Sequence, residues 1–236
     1  MLTLVLPIAG RGQRFIDKGY EIPKPFVDVV GQPMIQRCVD NLPQADKTVI
    51  IHLNDHQRWI DRWADSSYIC EGLADVTPGA AWTVLAARHH IDPESELIIA
   101  DCDQWVDWSP GHFLDYIRRQ QADGAMPVFR GHRSHWSYAH FDAEGRVESV
   151  IEKVPVTADA ISGVRYFVRA EMAFQALERL VAQPTLGEYH LGPVYNDLIQ
   201  REFKILAYPV PRVYSMGTPV ELEYTLNSGI FQEDTC

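Results

Sequence analysis

A chain of 236 residues with 46% hydrophobic content is long enough to bury a substantial core as one domain, or as one domain with a small lobe. Its formal charge of -11 argues against extended contact with a nucleic-acid backbone, which rewards clustered Lys and Arg, yet it leaves room for a small basic pocket around one phosphorylated ligand. No apolar run is long enough to span a membrane and no basic leader precedes the first apolar run, so neither a membrane span nor a signal peptide is expected and a cytoplasmic protein is the default.

In chain order, the unalternated apolar runs Leu2 to Leu6, Thr48 to Leu53 and Leu97 to Ala100 predict strands buried on both faces, as parallel strands are. Between them, Gln32 to Leu42 and Gly79 to Ile91 carry apolar residues at helical spacing. Trp59 and Trp63, four apart, read as one buried helix face. Ser109 followed by Pro110 starts a further helix that stops at Gly124. Strand alternating with helix implies right-handed crossovers in a parallel sheet. From Met126 to Phe129, Tyr138 to Phe141, Val147 to Ile151 and Val164 to Val168 the strands crowd together, and Asp142-Ala-Glu-Gly145 predicts a hairpin, so antiparallel strands are added in the second half. Thr218-Pro219-Val220-Glu221 is a capping box with proline at the first helical position. No repeat, linker or low-complexity segment divides the chain, which therefore reads as one domain over residues 1–236. The four cysteines, Cys38, Cys70, Cys102 and Cys236, form no CxxC pair and read as free thiols of a reducing compartment.

The loop after the first strand, residues 7–15, is the usual phosphate site of an open α/β sheet. Gly10 and Gly12 let backbone amides approach phosphate oxygens, and Arg14 can fork onto a phosphate. The dinucleotide fingerprint GxGxxG needs glycine where Phe15 stands, and the P-loop needs a GK[ST] that is absent. In Ile22-Pro-Lys-Pro-Phe26 two prolines stiffen the backbone around Lys24. Apolar Ile98-Ile-Ala100 leads into Asp101-Cys-Asp103-Gln104, which places two carboxylates at a strand end where their oxygens could hold Mg²⁺. His52 and His56 straddle a strand end and make no metal pair, and His132 and His135 read as surface.

Gly10, Gly12, Arg14, Lys24 and Pro25, followed by Val30-Gly-Gln-Pro-Met-Ile35, resemble the N-terminal signature of the nucleotidylyltransferase (NDP-sugar pyrophosphorylase) superfamily. Among its members the chain is similar to short single-domain bacterial proteins of capsule or surface-polysaccharide pathways. The resemblance implies an α/β fold with a Rossmann-like, mixed, mostly parallel sheet flanked by helices, of the nucleotide-diphospho-sugar transferase (GT-A-like) kind. Its nucleotide-binding part would cover about 1–125 and its acceptor-binding part about 126–236. The activity implied is an EC 2.7.7-type transfer of NMP from a nucleoside triphosphate to a sugar 1-phosphate, with Mg²⁺ as cofactor and pyrophosphate as product. Arg14 and Lys24 are then the catalytic pair. Leu6, Ala9, Gly10, Arg11, Gly12, Thr77, Gly79 and Ala80 would line the nucleotide. Asp103 is expected as first metal ligand and Asp101 as second. Glu152 and Lys153 match the family's Glu-Lys before proline, Gly163 its acceptor loop, and Glu188 and Asn196 its acceptor wall. The family's second metal aspartate falls on Ser215, in Ser215-Met-Gly-Thr-Pro219, which is a departure. The expected partners are the nucleoside triphosphate and the phosphorylated acceptor, with no nucleic acid and no membrane, and with a homo-oligomer left open. Three further readings stay open: a cytidylyltransferase for a non-sugar phosphate such as phosphocholine, a GT-A-type glycosyltransferase built on the DxD of Asp101 and Asp103, and a non-catalytic nucleotide-sugar sensor.

Overall fold

The computed structural model describes residues 1–185 and 187–231; Cys236 lies outside the described residues. In chain order the strands are β1 Leu2–Ile8, β2 Asp28–Val29, β3 Gln32–Pro33, β4 Lys47–Leu53, β5 Tyr68–Leu73, β6 Glu96–Ala100, β7 Gln104–Val106, β8 Gly124–Arg130, β9 Ser137–Phe141, β10 Val147–Glu152, β11 Asp159–Ile161, β12 Val164–Phe167, β13 Ile205–Pro209 and β14 Val213–Ser215. The helices are α1 Gln13–Ile16, α2 Met34–Asp40, α3 Gln57–Trp63, α4 Ala80–Ala86, α5 Pro110–Arg119, α6 Ala170–Val181, α7 Val194–Gln200 and α8 Pro219–Asn227.

One mixed sheet runs β10-β9-β11-β8-β12-β6-β1-β4-β5, with β13 on the other edge of β8. The segment β6-β1-β4-β5 is parallel. β12 pairs antiparallel to β6, and β9, β10 and β11 form an antiparallel extension. Period-two alternation explains why both faces are covered: Val5, Val49 and Ile99 pack with α4, α6 and α7, whereas Leu4, Leu6, Ile50 and Ile98 pack with α2 and α5. Starting from β1, the chain winds outward through β4 to β5 and then returns to the other side of β1 as β6. That reversal is a topological switch point, and it opens a crevice at the carboxyl ends of β1 and β6.

Several elements differ in extent from the sequence expectation. β5, at the sheet edge, is half-buried throughout and shows no clean period, so its pattern does not announce a strand. The helix expected from Gln32 begins at Met34, because Gln32–Pro33 pairs with Asp28–Val29 across a tight turn in which Val30 and Gly31 both have positive φ. The helix expected to reach Ile91 ends at Ala86 and tightens into a 3-10 turn over Ala87–His90. The capping box forms: the Thr218 hydroxyl oxygen accepts from the Glu221 amide at 3.2 Å. Cys38, Cys70 and Cys102 are unpaired. No helix of the described residues is long and apolar enough to cross a membrane.

His52 and His56 are both buried and serve packing. His56 lies edge-on to Phe26, and its Nδ1 has no partner. Burial first, and then neighbouring His52, hold the His56 pKa below the ordinary 6.5. The folded state therefore binds fewer protons than the unfolded chain in the interval below 6.5, so this contribution to stability is present above 6.5 and lost as pH falls through the folded value. The urea midpoint is expected to drop between about pH 7.5 and about pH 5.5, and to drop less in His56→Leu. Equal drops in the two proteins would remove His56 from the account.

Candidate active site

Two elements meet at the crevice between β1 and β6. After β1 the chain turns at Gly12 (φ 67°) directly into α1, where buried Phe15 anchors a small core with Val27, Val29 and Met216 while its neighbour Arg14 stays outside. A Cβ on Gly12 would lie 3.0 Å from Lys24 Cβ, so the glycine lets the loop pack closely on that lysine. Lys24 opens a 3-10 turn and its Nζ donates to Asp103 Oδ2 at 2.7 Å. Burial alone would lower the lysine's pKa. The Asp103 carboxylate and its neighbours Cys102 and Asp101 outweigh that and hold it above the ordinary value, so Lys24 is a fixed cation. Burial pushes the Cys102 thiol up to about 12, which leaves it neutral between two carboxylates.

Asp101 is placed from the other strand. Its amide donates to Gly163 O at 2.9 Å, and its Oδ1 accepts from buried Arg165 Nη1 at 3.2 Å. A Cβ on Gly163 would come within 2.5 Å of Asp101 Oδ2, so Gly163 is a close-packing glycine beneath the carboxylate. Burial raises the Asp101 pKa and outweighs Arg165, which lowers it. Across the crevice, Gly217 leaves open a space whose Cβ position would lie 3.1 Å from Asp103 Oδ2, 3.4 Å from Glu221 Oε2 and 3.7 Å from Ser215 Oγ. This all-oxygen donor set, left open by a glycine, fits a hard cation such as Mg²⁺.

A cavity of about 260 Å³ has Arg14, Asp101, Gln104, Glu152, Lys153 and His190 among its walls. Lys153 ends β10 with φ 57°, a left-handed backbone held by its amide donating to Trp136 O at 3.0 Å. Such a conformation in a non-glycine residue costs about 1–3 kcal/mol and persists where its surroundings enforce it. Lys153 Nζ donates to His190 Nε2 at 2.9 Å, and Ser137 Oγ donates to Glu152 Oε2 at 2.6 Å. Ala80, at the start of α4, also lines the cavity. A larger groove of about 410 Å³ lies beyond Trp136, against Arg133, Arg212 and Tyr224, but it holds neither Lys24, Lys153 nor the aspartates.

The structure therefore brings Arg14, Ala80, Asp101, Glu152, Lys153 and Gly163 to one cavity, while Lys24 and Asp103 pair with each other outside its lining. Glu188 borders an adjacent groove that shares Glu152 and His190 with it. Other expected residues lie outside the lining of that cavity. The side chain of Leu6 is fully buried in the core, and Ala9 is buried as well, so neither side chain is free to line a ligand. Exposed Arg11 faces a separate groove with His56 and Trp59, because successive residues of the loop diverge around anchored Phe15. Asn196 spends both ends of its amide on the backbone of Val150, at 2.7 and 2.8 Å, and braces β10 rather than facing an acceptor. Thr77 and Gly79 shape the start of α4: the Thr77 hydroxyl donates to Gly79 O at 2.8 Å, and Gly79 packs on the Tyr189 backbone. His135, read as surface, instead bonds Glu221 at 2.8 Å and faces the cavity. Sequence reasoning missed Arg165, Gln104 and Glu221 as site residues; a buried charge in a strand was the only available signal for Arg165.

Residues 4–183 match the family model described as the MobA-like NTP transferase domain. The chain is 24% identical over 217 residues, 84% of each chain, to the UTP–glucose-1-phosphate uridylyltransferase AglF of Haloferax volcanii. It is 24% identical over 237 residues, 94% of this chain and 68% of the relative, to the bifunctional protein GlmU of Desulfotalea psychrophila. A nucleoside-diphosphate-sugar pyrophosphorylase from Vibrio cholerae superposes with a TM-score of 0.79 at 24% identity, covering 95% of this chain and 99% of that one. A UDP-glucose pyrophosphorylase complexed with UDP-glucose superposes with a TM-score of 0.81 at 16% identity, covering 97% and 98%. These superpositions establish the fold, that of nucleotide-sugar pyrophosphorylases.

Proposed function

Because this chain belongs to the MobA-like NTP transferase domain family, we propose that it transfers a nucleotidyl group: the phosphate of a sugar 1-phosphate attacks the α-phosphorus of a nucleoside triphosphate, giving an NDP-sugar and releasing pyrophosphate. The observation that carries this reading is the placement of Arg14 and Lys153, from opposite halves of the chain, on the walls of one cavity that Asp101 also lines. Two anionic reactants call for more than one cationic group, and Arg14 and Lys153 both line the cavity.

The residues divide accordingly. The amides of Gly10 and Gly12 with Arg14 hold the β and γ phosphates, and Lys24 reaches toward the α phosphate. Ala80, beside Thr77 and Gly79, borders the base. Lys153 holds the incoming phosphate, and Glu152, oriented by Ser137, meets the acceptor. Glu188 and the Gly163 loop lie at the acceptor end. Asp103, with Asp101, would hold Mg²⁺, with Glu221 and the Ser215 hydroxyl as further oxygens in place of the aspartate expected at 215. Such an ion supplies charge neutralisation on the triphosphate. The acceptor phosphate is largely dianionic at neutral pH, its second pKa being about 6, so no general base is required. Rate then comes from in-line positioning and from electrostatic stabilisation of the transferring group. In this reading residues to about 125 serve the nucleotide and those from about 126 the acceptor, and the product supplies surface-polysaccharide synthesis, capsule included, from the cytoplasm.

The test is a matrix of UTP, CTP, GTP and dTTP against sugar 1-phosphates and non-sugar phosphates such as phosphocholine, with Mg²⁺, scored by pyrophosphate release. Turnover with a sugar 1-phosphate is expected. Turnover with phosphocholine alone would make the protein a cytidylyltransferase of another kind. Release of a nucleoside diphosphate from an NDP-sugar would make it a glycosyltransferase, and tight binding without turnover would make it a sensor.

A further inference from the structure

Away from the crevice, at the edge strand β5, Glu71 and the 3-10 turn after α4 bring three donor atoms to one point. His90 Nε2 lies 2.8 Å from Glu71 Oε2, and His89 Nε2 lies 3.4 Å from the same oxygen. The two imidazole rings lie side by side, centroids 3.9 Å apart and tilted by 40°. One donor atom from each of the three residues falls within 4.8 Å of the others, the one such group among the described residues. Around a tetrahedral metal with bonds of about 2.0–2.1 Å, neighbouring ligands stand roughly 3.3 Å apart. The two contacts to Glu71 Oε2, 2.8 and 3.4 Å, lie on either side of that separation.

The surroundings hold the group in place. Lys47 Nζ, from β4, donates to the carbonyl of His90 at 2.9 Å. Arg88 is engaged elsewhere, on the α6 carboxylates Glu171 and Glu178, and leaves Glu71 to the histidines. We propose that Glu71, His89 and His90 form a binding site for a divalent transition metal of the zinc class, with a fourth position open to solvent, which ties edge strand β5 to the end of α4. Two imidazoles and one carboxylate select such an ion over Mg²⁺, which prefers oxygen alone. The two metal chemistries of this chain are thereby separated, oxygen donors at the crevice and nitrogen donors at the edge. The site staples two elements that depend on each other only through side chains, and it leaves the cavity walls untouched.

The experiment titrates untagged full-length protein with Co²⁺ in the presence of excess Mg²⁺ and follows visible absorption, in which tetrahedral cobalt absorbs strongly and octahedral cobalt weakly. Wild type is expected to develop the tetrahedral band with about one equivalent bound, to bind Zn²⁺ competitively, and to gain about 5–10 °C in Tm at a hundredfold excess over Kd. His89→Ala/His90→Ala should lose the band and the Tm gain while folding and releasing pyrophosphate as wild type does. Glu71→Gln should bind at least tenfold more weakly. Absence of the band in wild type, or the same band in the double variant, overturns the site.

Discussion

Lys24→Met and Asp103→Asn, made singly, are each expected to lower kcat/KM for pyrophosphate release by about 10²–10³, the loss typical of removing one fixed electrostatic partner of a transition state. Asn has the shape of Asp and Met is one atom shorter than Lys, so the close approach of residue 24 Cβ to Gly12 is retained. The two groups are bonded at 2.7 Å with 23% and 17% of their side chains exposed, open enough to meet a ligand and enclosed enough to hold their geometry. If they work as a unit, the double variant should cost about as much as either single change. Near wild-type rates in both single variants would exclude the proposed chemistry. Loss of activity accompanied by a collapse of Tm would instead assign the pair to structure.

Gly79→Ala is expected to destabilise the fold more than any other single methyl added to the loops described above. Gly79 has φ 150°, outside the range L side chains favour, and an added Cβ would meet the Tyr189 amide nitrogen at 2.4 Å and its carbonyl oxygen at 2.6 Å. Both neighbours are backbone atoms, pinned because Ala81 N donates to Tyr189 O and Tyr189 N donates to Pro78 O. No rotamer change relieves such a clash. A cost of about 3 kcal/mol follows, which for a chain of this size lowers Tm by about 6–12 °C. Thermal unfolding monitored by circular dichroism reads this directly, and a shift below about 2 °C would show that the Tyr189 segment yields. The same segment carries His190, the partner of Lys153, so Gly79→Ala should also raise KM for the acceptor in the fraction that stays folded.

How much of this was legible depended on the distance over which each feature is encoded. The parallel strands were written locally in apolar runs without alternation, and the start of α8 was written in Thr218, Pro219 and Glu221. The glycine loop with Lys24-Pro25 was likewise readable, because glycines, a flanked lysine and a strand end make a local pattern. β5 was not, since an edge strand half open to solvent shows no period. Gly79 and Gly163 were visible as glycines, but their reasons, the Tyr189 backbone and the Asp101 carboxylate, come from chain segments far away.

The amino-acid sequence by itself determined the alternation of strand and helix, the glycine-containing loop after β1 and the acidic turn after β6, because backbone propensity and side-chain period act between near neighbours. Only the tertiary structure decided which of those residues share a site. Lys24 meets Asp103 across 79 positions and Arg165 meets Asp101 across 64. Asn196 is consumed by Val150 across 46 positions, and Glu71 meets His90 across 19. Such pairings are set by how the sheet reverses at β1 and β6 and by which side chain fills the space a glycine leaves, and no local pattern carries that information.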